Sequence, residues 1–266
     1  MGVKMEKILT IAGSDCSGGA GIQADLKTIT AHRMYGMSVI TALTAQNTTG
    51  VAGVMNADEA FVEQQLDCVF QDIVPDAIKI GMVSNREIIK AIAKKLIEYQ
   101  SHNVVVDPVM ISTSGSRLLD EEAVKALVEE LFPLARVITP NIPEAEVLSG
   151  IEIENKEDMK KAAVIIGKKI NVAILIKGGH LEHSADDLLY RGGDMIWLKG
   201  EHYDNPNTHG TGCTLSSAIA CNLARDYSME VSVQNAKKYV EGAIKAGLDI
   251  GTGKGPLNHV YGLKEI

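Results

Sequence analysis

Ile8-Leu9-Thr10-Ile11-Ala12-Gly13-Ser14-Asp15-Cys16-Ser17-Gly18-Gly19-Ala20-Gly21-Ile22-Gln23-Ala24 reads as a buried strand, a glycine-rich turn and the opening of a helix. Ile8 to Ala12 is of strand length and apolar but for Thr10, and the period changes to helical from Ile22 to Arg33. The small residues between them let backbone N–H groups approach a ligand closely.

The same alternation continues outward. Strands are expected at Ser38 to Ala45, Ala77 to Ile80, Val104 to Val106, Arg136 to Thr139 and Ala173 to Ile176. Between and after them, helices are expected at Ala60 to Ile73, from a capping-box pattern at Ser84-Asn85-Arg86-Glu87 to about Tyr99, at Glu121 to Leu131 and at Lys156 to Lys168. Leu188 to Tyr190 and Met195 to Leu198 flank Gly192-Gly193-Asp194 and predict a hairpin. Helices at Thr211 to Arg225 and Val233 to Asp249 follow. This order predicts a three-layer α/β/α domain with a mainly parallel central sheet, spanning residues 1–266.

Composition narrows the partners. The chain has 266 residues, 45% of them hydrophobic, enough for one large core. Its formal net charge of -8 disfavours nucleic acid, and 4% aromatics provide no stacking platform for single strands. No apolar run approaches the roughly 20 residues that cross a membrane. Cys16, Cys68, Cys213 and Cys221 form no Cys-x-x-Cys pair, which fits reduced thiols in the cytoplasm.

In such sheets ligands bind beyond the carboxyl ends of the strands. Gly19-Ala20-Gly21-Ile22-Gln23-Ala24 matches the dinucleotide glycine pattern. The second strand, however, ends in Thr44-Ala45-Gln46-Asn47-Thr48 and lacks the acid that would hold a ribose, which disfavours NAD. Asp25, one helical turn on, either faces a ligand or complements the helix dipole. The Gln46 amide pairs a donor with an acceptor and suits an aminopyrimidine edge; the plainer reading is an exposed loop residue.

Asp107-Pro108-Val109-Met110 puts an acid at a strand end, where it holds metal-bound water or is merely solvated. Ile111 to Arg117 behind it has the composition of a lid. Asn141 and Glu144 form a capping-box variant, with a metal role for Glu144 as the alternative. Lys177-Gly178-Gly179-His180 offers a phosphate contact or a snorkelling lysine. The sharpest signal is Asn207-Thr208-His209-Gly210-Thr211-Gly212-Cys213-Thr214, running into Leu215-Ser216-Ser217-Ala218-Ile219-Ala220. Glycine and threonine at a helix start make an anion hole of unpaired N–H groups. Cys213 lies in it, where a helix N-terminus lowers a thiol pKa; the plainer reading is a buried, inert cysteine. No Gly-x-x-x-x-Gly-Lys-Ser/Thr phosphate loop occurs, so phosphates must be cradled at this turn.

These stretches, with Lys79-Ile80-Gly81-Met82 and Gly255-Pro256-Leu257-Asn258-His259, resemble the hydroxymethylpyrimidine/phosphomethylpyrimidine kinases of thiamine biosynthesis, within the ribokinase superfamily. The resemblance implies a ribokinase-like fold, ATP and Mg2+, a homodimer, and two successive phosphorylations of 4-amino-5-hydroxymethyl-2-methylpyrimidine. Carried over, Gly13, Ala20, Asp25, Gln46, Met82 and Val109 would hold the pyrimidine. Asp107, Asn141, Lys177 and Thr208 would hold the nucleotide, with Asp107 and Glu144 on the metal. Gly210, Thr211 and Gly212 would form the anion hole, and Cys213 stands where most of the superfamily has an aspartate base. Pyridoxal kinase and a non-catalytic ligand sensor are the rivals. The pyrimidine is preferred because Ile111-Ser112-Thr113 lacks the second cysteine of dual-activity relatives.

Overall fold

The computed structural model describes residues 4–110, 119–179, 185–201, 203 and 205–263. The expected lid, Ile111 to Arg117, and His180 lie outside the described residues. Nine strands form a single sheet in the order β3-β2-β1-β4-β5-β6-β7-β8-β9. They are β1 (Lys7–Asp15), β2 (Tyr35–Asn47), β3 (Gly50–Asn56), β4 (Ala77–Ile80), β5 (Val104–Val106), β6 (Val137–Ile138), β7 (Ala173–Ile176), β8 (Asp187–Arg191) and β9 (Asp194–Leu198). From β2 to β7 every neighbouring pair is parallel; β3 at one edge and the β8–β9 hairpin at the other run antiparallel.

Parallel strands covered on both faces need apolar side chains in both directions. Ala77 to Ile80, Val104 to Val106 and Ala173 to Ile176 are accordingly buried throughout. On one face lie α2 (Glu59–Phe70), α3 (Arg86–Glu98), α4 (Glu121–Ala126), α5 (Ile142–Ser149) and α6 (Lys156–Lys169). The other face carries α1 (Gly21–Ala31), α7 (Thr211–Ala224) and α8 (Met229–Lys245). The helices bury single stripes: Val62, Leu66 and Phe70 on α2, and Ile88, Ile92 and Leu96 on α3. Each such side chain contributes about 1.5–3 kcal/mol when fully buried.

Local chemistry sets the boundaries. Asp58 caps α2 and Ser228 caps α8, starting the last helix before the expected Val233. At α3 the capping residue is Asn85, which accepts from the Ile88 N–H, rather than Ser84. After Ala126 the helix tightness changes to a π turn over Leu127–Leu131 and a 3-10 turn over Phe132–Leu134, so the expected helix from 121 to 131 is present but irregular. Two elements go beyond those expected from sequence: of α5 only the capping start at Asn141 was expected, and of β3 nothing. Helix α5 is short, with proline tolerated in its first turn and Gly150 ending it in the left-handed region at φ 78°. Strand β3 is exposed at every residue, so it carries no alternating pattern.

Candidate active site

The residues singled out above gather at one end of the sheet. Asp15 and Gln46 lie at the ends of β1 and β2, Asp107 and Lys177 follow β5 and β7 directly, and Met82 and Asn141 stand just beyond β4 and β6. Gly210 and the N-terminus of α7 face them.

The turn into α7 depends on glycine. Gly210 has φ 83°, and a Cβ there would lie 1.9 Å from the Gly19 carbonyl oxygen. The two glycine loops therefore pack back to back, and no side chain fits between them. No side chain caps α7 and its first turn holds no acid, so the helix start keeps its positive field. A Cβ on Gly212 would lie 3.1 Å from Asp107 Oδ2 and 3.3 Å from Lys177 Nζ. The anion turn thus meets a carboxylate and an ammonium within one contact distance. Thr208 is exposed, and its carbonyl accepts from the Thr211 hydroxyl at 2.7 Å.

Asp107 is buried; its Oδ1 accepts from Lys177 Nζ at 2.8 Å and from the Thr139 hydroxyl at 3.1 Å. Glu144 is buried too. One of its oxygens accepts from the Asn141 N–H at 2.9 Å and the other from the Met110 N–H at 3.0 Å. With Asn141 accepting from the Glu144 N–H, both halves of the expected capping box are present. Burial raises the Glu144 pKa, opposed by the Lys177 charge and assisted by Asp107. For Lys177, burial acts downward, but Asp107 and Glu144 outweigh it and raise the pKa, so the ammonium stays charged.

On the other side of the turn, Gln46 Nε2 lies 3.1 Å from His209 Nε2, and His209 Nε2 lies 2.9 Å from Asp15 Oδ2. Cys16 Sγ brackets the Gln46 backbone, 3.1 Å from its carbonyl oxygen and 3.3 Å from its nitrogen. Gly13 is buried, and a Cβ on it would meet Met82 Sδ at 3.2 Å. Val109 adopts φ 45°, a strained position for a β-branched residue and one typical of functional loops. Ala20 begins α1, its N–H held by Asp15 at 2.8 Å.

Two expectations are corrected here. Asp25 neither faces a ligand nor complements a helix end. It is fully buried, its oxygens 2.7 and 2.8 Å from Lys79 Nζ and within hydrogen-bond reach of the Thr10 and Ser217 hydroxyls. This ion pair joins β1, β4, α1 and α7 beneath the site. Cys213 is half-buried and does not have the lowered pKa of an exposed helix-start thiol. Burial pushes it up to about 11; Lys79 pulls it down, while Asp25 and Asp107 push it further up. The site as built thus favours the thiol over the thiolate.

Sequence reasoning gave no role to Asp15, Lys79, His209 or His259. A lysine inside Ala77-Ile78-Lys79-Ile80 was the available signal, because a cation in a fully buried strand requires a buried acid.

The family model for phosphomethylpyrimidine kinase matches residues 15–258. The chain belongs to that family. It is 49% identical over 257 residues to the hydroxymethylpyrimidine/phosphomethylpyrimidine kinase of Rhizobium meliloti, covering 95% of this chain and 96% of that one. It is 48% identical to a thiamine biosynthesis bifunctional protein of Geobacter sulfurreducens over 97% of its own length, spanning 53% of that longer protein. The crystal structure of a Clostridium difficile phosphomethylpyrimidine kinase superposes with a TM-score of 0.81 at 49% identity, covering 90% of this chain and 99% of that one. An ADP complex of Bacillus subtilis pyridoxal kinase gives a TM-score of 0.88 at 40% identity, over 96% of this chain and 98% of that one. The ribokinase-like α/β/α architecture and the kinase class expected from sequence agree with these relatives. Among the described residues no helix is long and apolar enough to cross a membrane.

Proposed function

We propose that this phosphomethylpyrimidine kinase family member transfers phosphoryl groups from ATP to the hydroxymethyl of 4-amino-5-hydroxymethyl-2-methylpyrimidine, and then to the resulting monophosphate, in thiamine biosynthesis. The observation that carries this reading is the meeting of the α7 turn with Asp107 and Lys177 at Gly212, while Gln46 reaches the same turn through His209. One side suits a migrating phosphoryl group, the other a flat polar ring.

Of Gly210, Thr211 and Gly212, the Thr211 N–H already donates to the Thr208 carbonyl at 3.2 Å; the other two N–H groups would serve the transferring phosphoryl, and the Lys177 ammonium would offset its charge. Gln46 reads the ring edge; Gly13, Ala20, Met82 and Val109 shape its pocket. Asn141 and Thr208 lie where the nucleotide would pass. Among the described residues no three acids, histidines or cysteines cluster as a metal cage. Mg2+ keeps waters and substrate phosphates and takes one or two carboxylates. Asp107 Oδ2, on the Gly212 side, and Glu144 are the carboxylates for it; the ion would neutralise charge on the phosphates. A loose transition state needs little base at the acceptor hydroxyl, which fits a Cys213 that burial holds toward the thiol. The setting would be cytoplasmic.

Incubation with the pyrimidine and Mg-ATP, followed by phosphate stoichiometry, tests the proposal. Two ADP formed per pyrimidine is expected; no ADP at all would leave a ligand sensor. Pyridoxal remains the second reading because the Bacillus subtilis relative of similar fold is a pyridoxal kinase. Turnover on pyridoxal exceeding that on the pyrimidine would favour it.

A further inference from the structure

The hydrogens around Gln46 can be counted, and the count decides which way its amide points. Asp15 is buried and accepts five hydrogen bonds: from the Ser17 N–H and hydroxyl, the Gly19 N–H, the Ala20 N–H and His209 Nε2. Burial alone would raise its pKa, but the bonds from His209, Ser17 and Ala20 outweigh it and hold the carboxyl well below the usual range. An ionised carboxylate only accepts, so His209 Nε2 carries a hydrogen. Gln46 Nε2, 3.1 Å from that nitrogen, then sets donor against donor.

The other end of the amide tells the same story. Thr44 Oγ1 lies 2.9 Å from the Ser14 carbonyl and 3.3 Å from Gln46 Oε1. A hydroxyl has one hydrogen, and the carbonyl can only accept. The hydrogen goes to Ser14, leaving Thr44 and Gln46 Oε1 as two facing acceptors. A half-turn of the amide, which exchanges nitrogen and oxygen in place, relieves both ends: the Gln46 nitrogen donates to Thr44, and its oxygen shares the one Nε2 hydrogen that His209 directs chiefly to Asp15 at 2.9 Å.

We propose that Asp15 and His209 are positioning residues that fix the Gln46 amide with its oxygen toward His209 and its nitrogen toward Thr44. The ring pocket then meets one order of donor and acceptor, not the reverse. The inference rests on Gln46 being the ring contact. A 4-aminopyrimidine places an exocyclic donor beside a ring acceptor; its 4-oxo counterpart presents the opposite order. Losing the His209 donor frees the amide to rotate and serve either ring, so discrimination falls.

The test is the ratio of kcat/KM for the 4-amino and 4-oxo hydroxymethylpyrimidines. His209→Leu should lower that ratio by roughly tenfold or more, through the pyrimidine KM, with the ATP KM nearly unchanged. His209→Gln, whose amide can replace the ring N–H, should keep it. Thr44→Val, which removes the acceptor at the far end, should lower it and serves if His209→Leu does not fold. Ratios equal to wild type in His209→Leu or Thr44→Val overturn the proposal. Gln46→Leu is the control: if it leaves the ratio intact, the pocket assignment fails instead.

Discussion

At Cys213 two effects compete. A helix start favours the thiolate, while burial and the nearby Asp25 and Asp107 charges favour the thiol and prevail, placing its pKa at about 11. Iodoacetamide labelling should therefore reach the exposed Cys16 and Cys68 first. The Cys213 rate should still be climbing above pH 9, as peptide mass spectrometry across a pH series would register. Cys213→Ala should then slow both phosphorylations by comparable factors; a first step slowed far more than the second would restore the thiolate base. Asp25 and Lys79 define the second case. Lys79→Met strands a buried carboxylate and should cost about 3–5 kcal/mol, whereas Asp25→Asn with Lys79→Met should recover much of it, read from urea midpoints. An unaltered midpoint in the single variant would mean that the pair is not coupled. Asp25 was misread because its partners, Thr10, Lys79 and Ser217, come from three other segments. Nothing within one helical turn of it betrays them.

Among elements, α7 is fastened from the C-terminal side. Thr214 donates to the Gly210 carbonyl at 2.8 Å, so it must accept from His259 Nε2 at 3.0 Å. Burial chiefly, with Lys27, lowers the His259 pKa from 6.5 to about 4. The unfolded chain binds this proton first, so stability rises with pH across that window and is lost as pH falls from 6.5 through 4. The loss is on the order of 3 kcal/mol. His259→Gln can still donate to Thr214 but cannot charge, so its urea midpoints should vary less with pH between those limits. A slope equal to that of wild type would assign the dependence to other groups. Helix starts were legible where the capping side chain is local, as at Asn141. The fastening by His259 was not, since 45 residues separate it from Thr214.

For the whole molecule, the alternation of strands and helices was enough to read the layers, because fully covered parallel strands are apolar throughout. Strand β3 escaped because none of the described residues covers it. Val51, Val54 and Met55 are exposed on it, and Met55 pairs across to the exposed Leu43 of β2. An apolar edge of this kind invites pairing with another chain. A second copy is the expected partner, in line with the homodimer implied by the family resemblance. Val54→Lys with Met55→Lys should shift the mass in solution from dimer to monomer by light scattering; an unchanged mass would place the contact elsewhere.

The C-terminal stretch ties off what much earlier residues begin. Gly255 accepts from the His209 N–H at 3.1 Å and donates to the Asn207 side chain at 2.8 Å, while Lys254 donates to the Thr48 carbonyl at 3.0 Å. A growing polypeptide on the ribosome can lay down the sheet and both glycine loops yet lack the clasp that joins them. Catalytic competence should thus arrive only once Lys254 and Gly255 have left the ribosome, which leaves shorter chains idle rather than half active.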